Sequence, residues 1–350
     1  MASKSVEVIA WVAVLGALIV GLSKGADIFI PLTVALMIWY LLNAFAMVLK
    51  RKLPGGDHLP ELLCVAIAML VVMGALLGTF DLLIISLSGI STALPRYQEN
   101  LNGTLRGLAG YFGMETAPGI DEVIAKIDLK WAVGSVGLMA KELAGDMGLI
   151  LVYILFLIFE QESFTKKMRV LIPEQGRRAS MSRVVQKIQA GIREYVLIKT
   201  LMCVLVGMLT FVVLKVLGVD YAFFWAFVAF LSNFVPTVGS LVGITLPTLF
   251  ALVQFPSPAT SLTVLAALGS IHFGVGNLLE PKLMSGKLNI SAFVVILSLV
   301  VWGKLWGIMG MFLCVPLTVI AMIILAHFPG TRPIALLLSE DGDLKLGDED

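Results

Sequence analysis

Long apolar runs decide what this chain can fold into. They fall at about 6–22, 28–49, 61–88, 147–160, 196–217, 222–255, 258–279 and 290–327. About 20 apolar residues cross the bilayer as a helix, because hydrocarbon offers the backbone no hydrogen-bond partner. The runs 222–255 and 290–327 exceed a single crossing, and each carries glycine or proline near its middle. Composition agrees: 59% of the 350 residues are hydrophobic and 14% charged, against about a half and a quarter in soluble domains. The expected fold is an all-α polytopic membrane protein with about eight hydrophobic segments, two of them re-entrant or broken helical hairpins.

Several function classes drop out early. A net charge of +1 supplies no basic surplus for nucleic acid, and no nucleic-acid partner is expected. Cys64, Cys203 and Cys314 lie far apart in apolar runs with no CxxC spacing, so they read as small apolar fillers. No metal and no cofactor is expected. The chain has no GxxxxGKS/T, HExxH or GxSxG motif, which excludes ATP-driven transport within the chain and leaves no visible nucleophile–base pair. An enzyme is not expected.

Loop charge sets the orientation. Lys50, Arg51 and Lys52 follow the second run, and segment 161–195 holds eight more lysines and arginines, from Lys166 to Arg193. Both loops read as cytoplasmic, and with them the N- and C-termini. In 89–146 acidic residues such as Glu99, Asp121 and Asp128 outnumber basic ones, as suits the outer side. The first apolar stretch, about 17 residues long, exceeds a signal-peptide core of about 7–15 and reads as an uncleaved helix.

Outside the apolar runs, Tyr97, Leu101, Leu105, Leu108 and Phe112 form a helical stripe, as do Val184, Ile188 and Ile192 with basic residues off it. The second suits a helix lying at the membrane interface. The layout is then 1–88 transmembrane scaffold, 89–146 extracytoplasmic amphipathic region, 147–195 a transmembrane helix plus cytoplasmic amphipathic helix, 196–328 transport core, and 329–350 an acidic, disordered cytoplasmic tail. The stripes at 92–113 and 119–144 are candidate contacts of a homo-oligomer.

Within 196–328 a full helix and a broken segment are followed by a second full helix and a second broken segment. If each broken segment enters and leaves on one side, the two pairs are inverted repeats, a layout common in secondary transporters. The first interruption, LSNFVPTVGSLVG at 231–243, supplies Asn233, Pro236, Thr237, Gly239, Ser240 and Gly243. These are a polar hairpin tip for a solute, or a proline kink packed on a neighbour. The second joins GVGNLLEPKLMSG at 274–286 to WGKLWGIMGMFLCVP at 302–316. It supplies Gly276, Asn277, Glu280, Pro281, Gly286, Trp302, Gly303, Gly307, Gly310 and Pro316 as binding or gating candidates.

A charge in hydrocarbon costs about 2.5–3.5 kcal/mol, so ionisable residues in apolar runs need an account. Lys199, Lys215 and Asp220 lie near expected helix ends, where lysine snorkels, and Lys304 falls at an expected turn. Asp81 is a secondary candidate, wet if its helix runs past the bilayer and functional if not. His272 reads as a hydrogen-bonded interior residue or a proton relay. Pro281 disfavours helix at Glu280. That carboxylate then stands beside freed carbonyls, where it would hold H+ or Na+, or else caps a helix or pairs with Lys282.

NFVPTVGSLVG, GNLLEPKLMSGKLNISAFVVILSLVVWG and LWGIMGMFLCVPLTVI lie in order within 194–327. This block resembles the autoinducer-2 exporter family of bacterial membrane proteins, and within it the quorum-signal exporter branch. The resemblance implies export of a small polar signal across a bacterial inner membrane and oligomeric assembly, and the inverted-repeat layout with its polar interruptions adds the expectation of alternating access. Some relatives resemble monovalent cation/proton antiporters, the alternative reading, beside a passive oligomeric pore or scaffold. Many relatives place an acidic residue where this chain has Val275, which weighs against an acid-dependent cation mechanism. The implied partners are a small polar solute, the lipid bilayer and H+ or Na+ as coupling ion.

Overall fold

The computed structural model describes residues 19–52, 61–111, 147–161, 175–255, 257–284, 289–328 and 330–340, with isolated positions beside them. Among these residues the backbone is helical and contains no strand. We number the helices α1 (Ala26–Lys52), α2 (Glu61–Tyr111), α3 (Met147–Gln161), α4 (Gln175–Val216), α5 (Ala222–Ser232) and α6 (Val238–Gln254), followed by α7 (Pro258–Met284), α8 (Ala292–His327) and α9 (Arg332–Leu338). Five stretches among them are long and apolar enough to cross a membrane: Ala26–Met47, Leu63–Ile90, Ile188–Val216, Pro258–Met284 and Ala292–Ala326. Helices α3, α5 and α6 are apolar but shorter. Apolar side chains such as Leu70, Phe156, Phe159 and Phe293 stand exposed on this surface, as lipid-facing residues should.

Two expected boundaries are absent. The apolar run ending at 88 and the stripe beginning at 92 belong to one 51-residue helix, α2, which continues through Pro95. The basic stripe at 180–196 and the span after it likewise form the single 42-residue α4. In both places only polarity changes. A change of polarity is not a helix stop, and the i→i−4 ladder runs on even past Gly89 and Thr92 in α2 and Gly191 in α4. The apolar run 6–22 lies largely outside the described residues, as do Gly286, the stripe at 119–144 and most of the acidic tail.

The described chain forms two compact units. One comprises Met1–Phe45, Asp146–Leu197 and Ser285–Asp350; the other comprises Ala46–Gly145 and Ile198–Met284. In the second unit Tyr97, Leu214, Phe250, Val264 and Leu268 are buried together, with Tyr221 and Trp225 packed on them. The Phe250 ring lies 5.1 Å from Tyr97 and 5.0 Å from Trp225. A smaller cluster of Met202, Val206, Ala229 and Val275 joins α4, α5 and α7. In the first unit Met322, Ala326 and Ala335 seat α9 against the end of α8.

Candidate functional site

The first expected hairpin tip is present in the second unit. Helix α5 ends at Ser232 and α6 begins at Val238, joined by tight turns from Val235 N to Ser232 O at 2.9 Å and from Val238 N to Pro236 O at 2.6 Å. Pro236 has no N–H to extend α5. Thr237 adopts φ 58 and ψ −52, a γ-turn that strains a β-branched residue. The two helices meet closely at Gly239, where a Cβ would lie 1.8 Å from the Ser232 carbonyl oxygen. Ser232 Oγ donates to Gly239 O at 3.1 Å and so ties the two arms together.

Behind this tip, polar groups are buried in a row. Asn233 is buried, and its Nδ2 donates to Cys203 Sγ at 3.4 Å. Cys203 stands one turn along α4 from Lys199, on the same face. Lys199 Nζ donates to Glu280 Oε1 at 2.7 Å, with side-chain exposures of 5% and 19%. Lys199 is therefore not a snorkelling lysine, and Glu280 pairs with Lys199 rather than with Lys282. Each charge alone would be costly at such a place, and the pair offsets that cost only while both members are present.

Glu280 does not lie at a helix break. It has αR geometry at φ −58 and ψ −49, and the helix continues to Met284. The chain meets Pro281 by widening instead: Gly274–Leu279 is a π-helical turn, and Glu280 N–H reaches back five residues to Val275 O. In a regular α-helix the Pro281 ring would press on the Asn277 carbonyl. One extra residue in the turn moves that carbonyl aside, and π-turns recur at functional sites.

His272, in the same unit, is 4% exposed, and neither ring nitrogen has a hydrogen-bond partner among the described residues. Its ring lies against the hairpin at Gly243, where a Cβ would come 2.9 Å from Cε1 and Nε2. Buried polar atoms without partners are few in native proteins and need an explanation.

Asn233, Gly239, Gly243, His272 and Glu280 are thus buried or half-buried in one unit. Thr237, Gly276, Asn277 and Pro281 are exposed, and Asp81 is exposed on α2. Pro236 and Ser240 are half-buried, and Ser240 Oγ is committed to Thr237 O at 2.8 Å.

The second expected break lies in α8 of the first unit. Trp306 (φ −127, ψ 15) and Gly307 (φ 62, ψ −141) interrupt the helix, and a side chain is strained at such a positive φ. A Cβ at Gly310 would lie 1.9 Å from Trp302 O, as close an approach as at Gly239. The position for a Cβ on Gly303 is 3.0 Å from Met311, and Pro316 is fully buried. Trp302 Nε1 donates to Thr318 Oγ1 at 3.3 Å, and Trp306 Nε1 to Leu22 O at 2.9 Å.

Sequence reasoning missed one further network. Tyr97 OH donates to Asp220 Oδ2 at 3.0 Å, and Asp220 N–H donates to Gln254 Oε1 at 2.7 Å. Gln254 Nε2 donates to Gly218 O at 2.9 Å, and Asn100 Nδ2 to Gln254 O at 3.0 Å. Burial, and then the Asp220 carboxylate, push the Tyr97 phenol well above its ordinary pKa, which keeps it a donor. The only sequence signal was Asp220 at the end of an apolar helix, which reads equally well as solvated.

A break in a membrane-spanning helix, in one unit, and a buried ion pair with an unpartnered histidine, in the other, are features found in membrane transporters. The chain belongs to the AI-2E family of transporters, which matches residues 8–330. It is similar to the AI-2 transport protein TqsA of Escherichia coli strain K12, 29% identical over 340 residues, or 94% of this chain and 95% of that one. YhhT of the same strain, which bears the provisional name of transport protein, is 28% identical over 92% of this chain and 90% of its own. YrrI of Bacillus subtilis strain 168, provisionally named in the same way, is 26% identical over 86% of each.

Proposed function

We propose that this protein is a bacterial inner-membrane transporter that exports a small polar signal of the autoinducer-2 type by alternating access. The observation that carries the reading is the α5–α6 hairpin, which buries Asn233 and sets Gly243 against the buried, unpartnered ring of His272 of α7. A polyhydroxylated solute supplies the hydroxyls that would satisfy such groups. Substrate and coupling-ion sites in secondary transporters typically lie at discontinuous helices. The α5–α6 hairpin and the α8 break use one device, a glycine closing on the preceding helix, which supports reading them as two repeats of opposite sense. Glu280, held by Lys199, orients the polar row. The N- and C-termini are cytoplasmic, and the working form is a homo-oligomer.

The test is signal efflux from cells that make autoinducer-2, with and without this chain and with and without an uncoupler. Faster efflux with the chain supports the proposal, and unchanged accumulation without it removes it. The buried Lys199–Glu280 pair favours one second reading, a monovalent cation/proton antiporter. Inverted vesicles loaded with a pH-sensitive dye and challenged with Na+ or K+ separate the two, since only the antiporter restores fluorescence.

A further inference from the structure

The π-turn in α7 shapes an open groove of about 340 Å³ within the second unit. Leu209 of α4 and Ile271, Val275, Leu278 and Leu279 of α7 line it, and Gly274 leaves its floor open with nothing within 4 Å of an added Cβ. From Ser270 to Lys282 the groove follows α7 for about 18 Å, at about 1.5 Å per residue. That is the depth of roughly one leaflet of a hydrocarbon core about 30 Å thick. One charged residue, Lys282, lines it at the far end. Lys282 is exposed and makes no ion pair among the described residues, because the neighbouring Glu280 is bound to Lys199.

We propose that this groove binds a single anionic phospholipid, with an acyl chain along Leu209, Ile271 and Leu278 and the phosphate against Lys282. Lipid tails are as apolar as leucine, so the greasy wall gives no preference over bulk lipid. Selectivity comes from the lysine, whose attraction for an anionic headgroup corresponds to about a fivefold preference. The bound chain fills the space beside the π-turn, which makes the lipid a wedge at the helix that carries Glu280 and His272.

Native mass spectrometry of the full-length protein in detergent tests this, using equimolar phosphatidylglycerol and phosphatidylcholine with identical chains. The expected result is one phosphatidylglycerol retained per chain about fivefold over phosphatidylcholine. Lys282→Arg keeps that preference and Lys282→Gln loses it. Gly274→Leu, which fills the floor, lowers retention of both lipids. Equal retention by the unmodified protein overturns the proposal, as does a preference that survives Lys282→Gln or vanishes in Lys282→Arg. A dimer that Gly274→Leu dissociates would show a second copy in the groove, and would overturn it too.

Discussion

At the scale of single residues, the Lys199–Glu280 pair makes the sharpest demand. Removing one member leaves the other charge buried alone, at a cost of about 3–5 kcal/mol. Glu280→Gln and Lys199→Met should each lower the melting temperature in detergent, and the double variant should recover most of the loss. Additive losses in this cycle would show that the pair is not coupled. Glycines divide just as sharply. Gly239→Ala drives a methyl into the Ser232 carbonyl and should cost about 3 kcal/mol. Gly269→Ala meets open space in a helix and should stabilise by up to about 1 kcal/mol. Thermal unfolding of the two variants should therefore shift in opposite directions. Glu280 could be picked out of the sequence as an isolated charge, but its partner could not. A lysine in a span reads as snorkelling until a helix 81 positions away packs against it.

At the scale of elements, the apolar runs located the five spans found among the described residues, and Pro236 and Gly307 located the two breaks. The break expected at Glu280 and Pro281, in the first stretch of the second interruption, failed for a physical reason. Proline forbids one hydrogen bond and one close contact, and a helix can answer by adding a residue to its turn instead of ending. Nothing in GVGNLLEP distinguishes these outcomes locally; packing of α4 against α7 does. The Tyr97–Asp220–Gln254 network belongs to this scale too, since it fastens the extension of α2 to the ends of α4 and α6. Tyr97→Phe keeps the ring packed on Phe250 and removes only the donor. It should cost about 1 kcal/mol, read as a small fall in melting temperature without loss of transport. A fall as large as that of Glu280→Gln would mean that the hydroxyl does more than fasten the helix.

At the scale of the whole molecule, composition established membrane residence before any motif was read, and loop charge gave an orientation. That orientation predicts a cytoplasmic tail. With a cysteine introduced at Gly347, a membrane-impermeant maleimide should label inverted vesicles and leave intact spheroplasts unlabelled; the reverse would invert the topology. Transport itself is the central claim, and counterflow with purified protein in liposomes measures it most directly. Vesicles preloaded with unlabelled autoinducer-2 should take up the labelled signal faster than empty ones, at a rate that saturates with concentration. Uptake no faster than in protein-free vesicles, or linear in concentration and indifferent to preloading, would contradict a carrier for this signal.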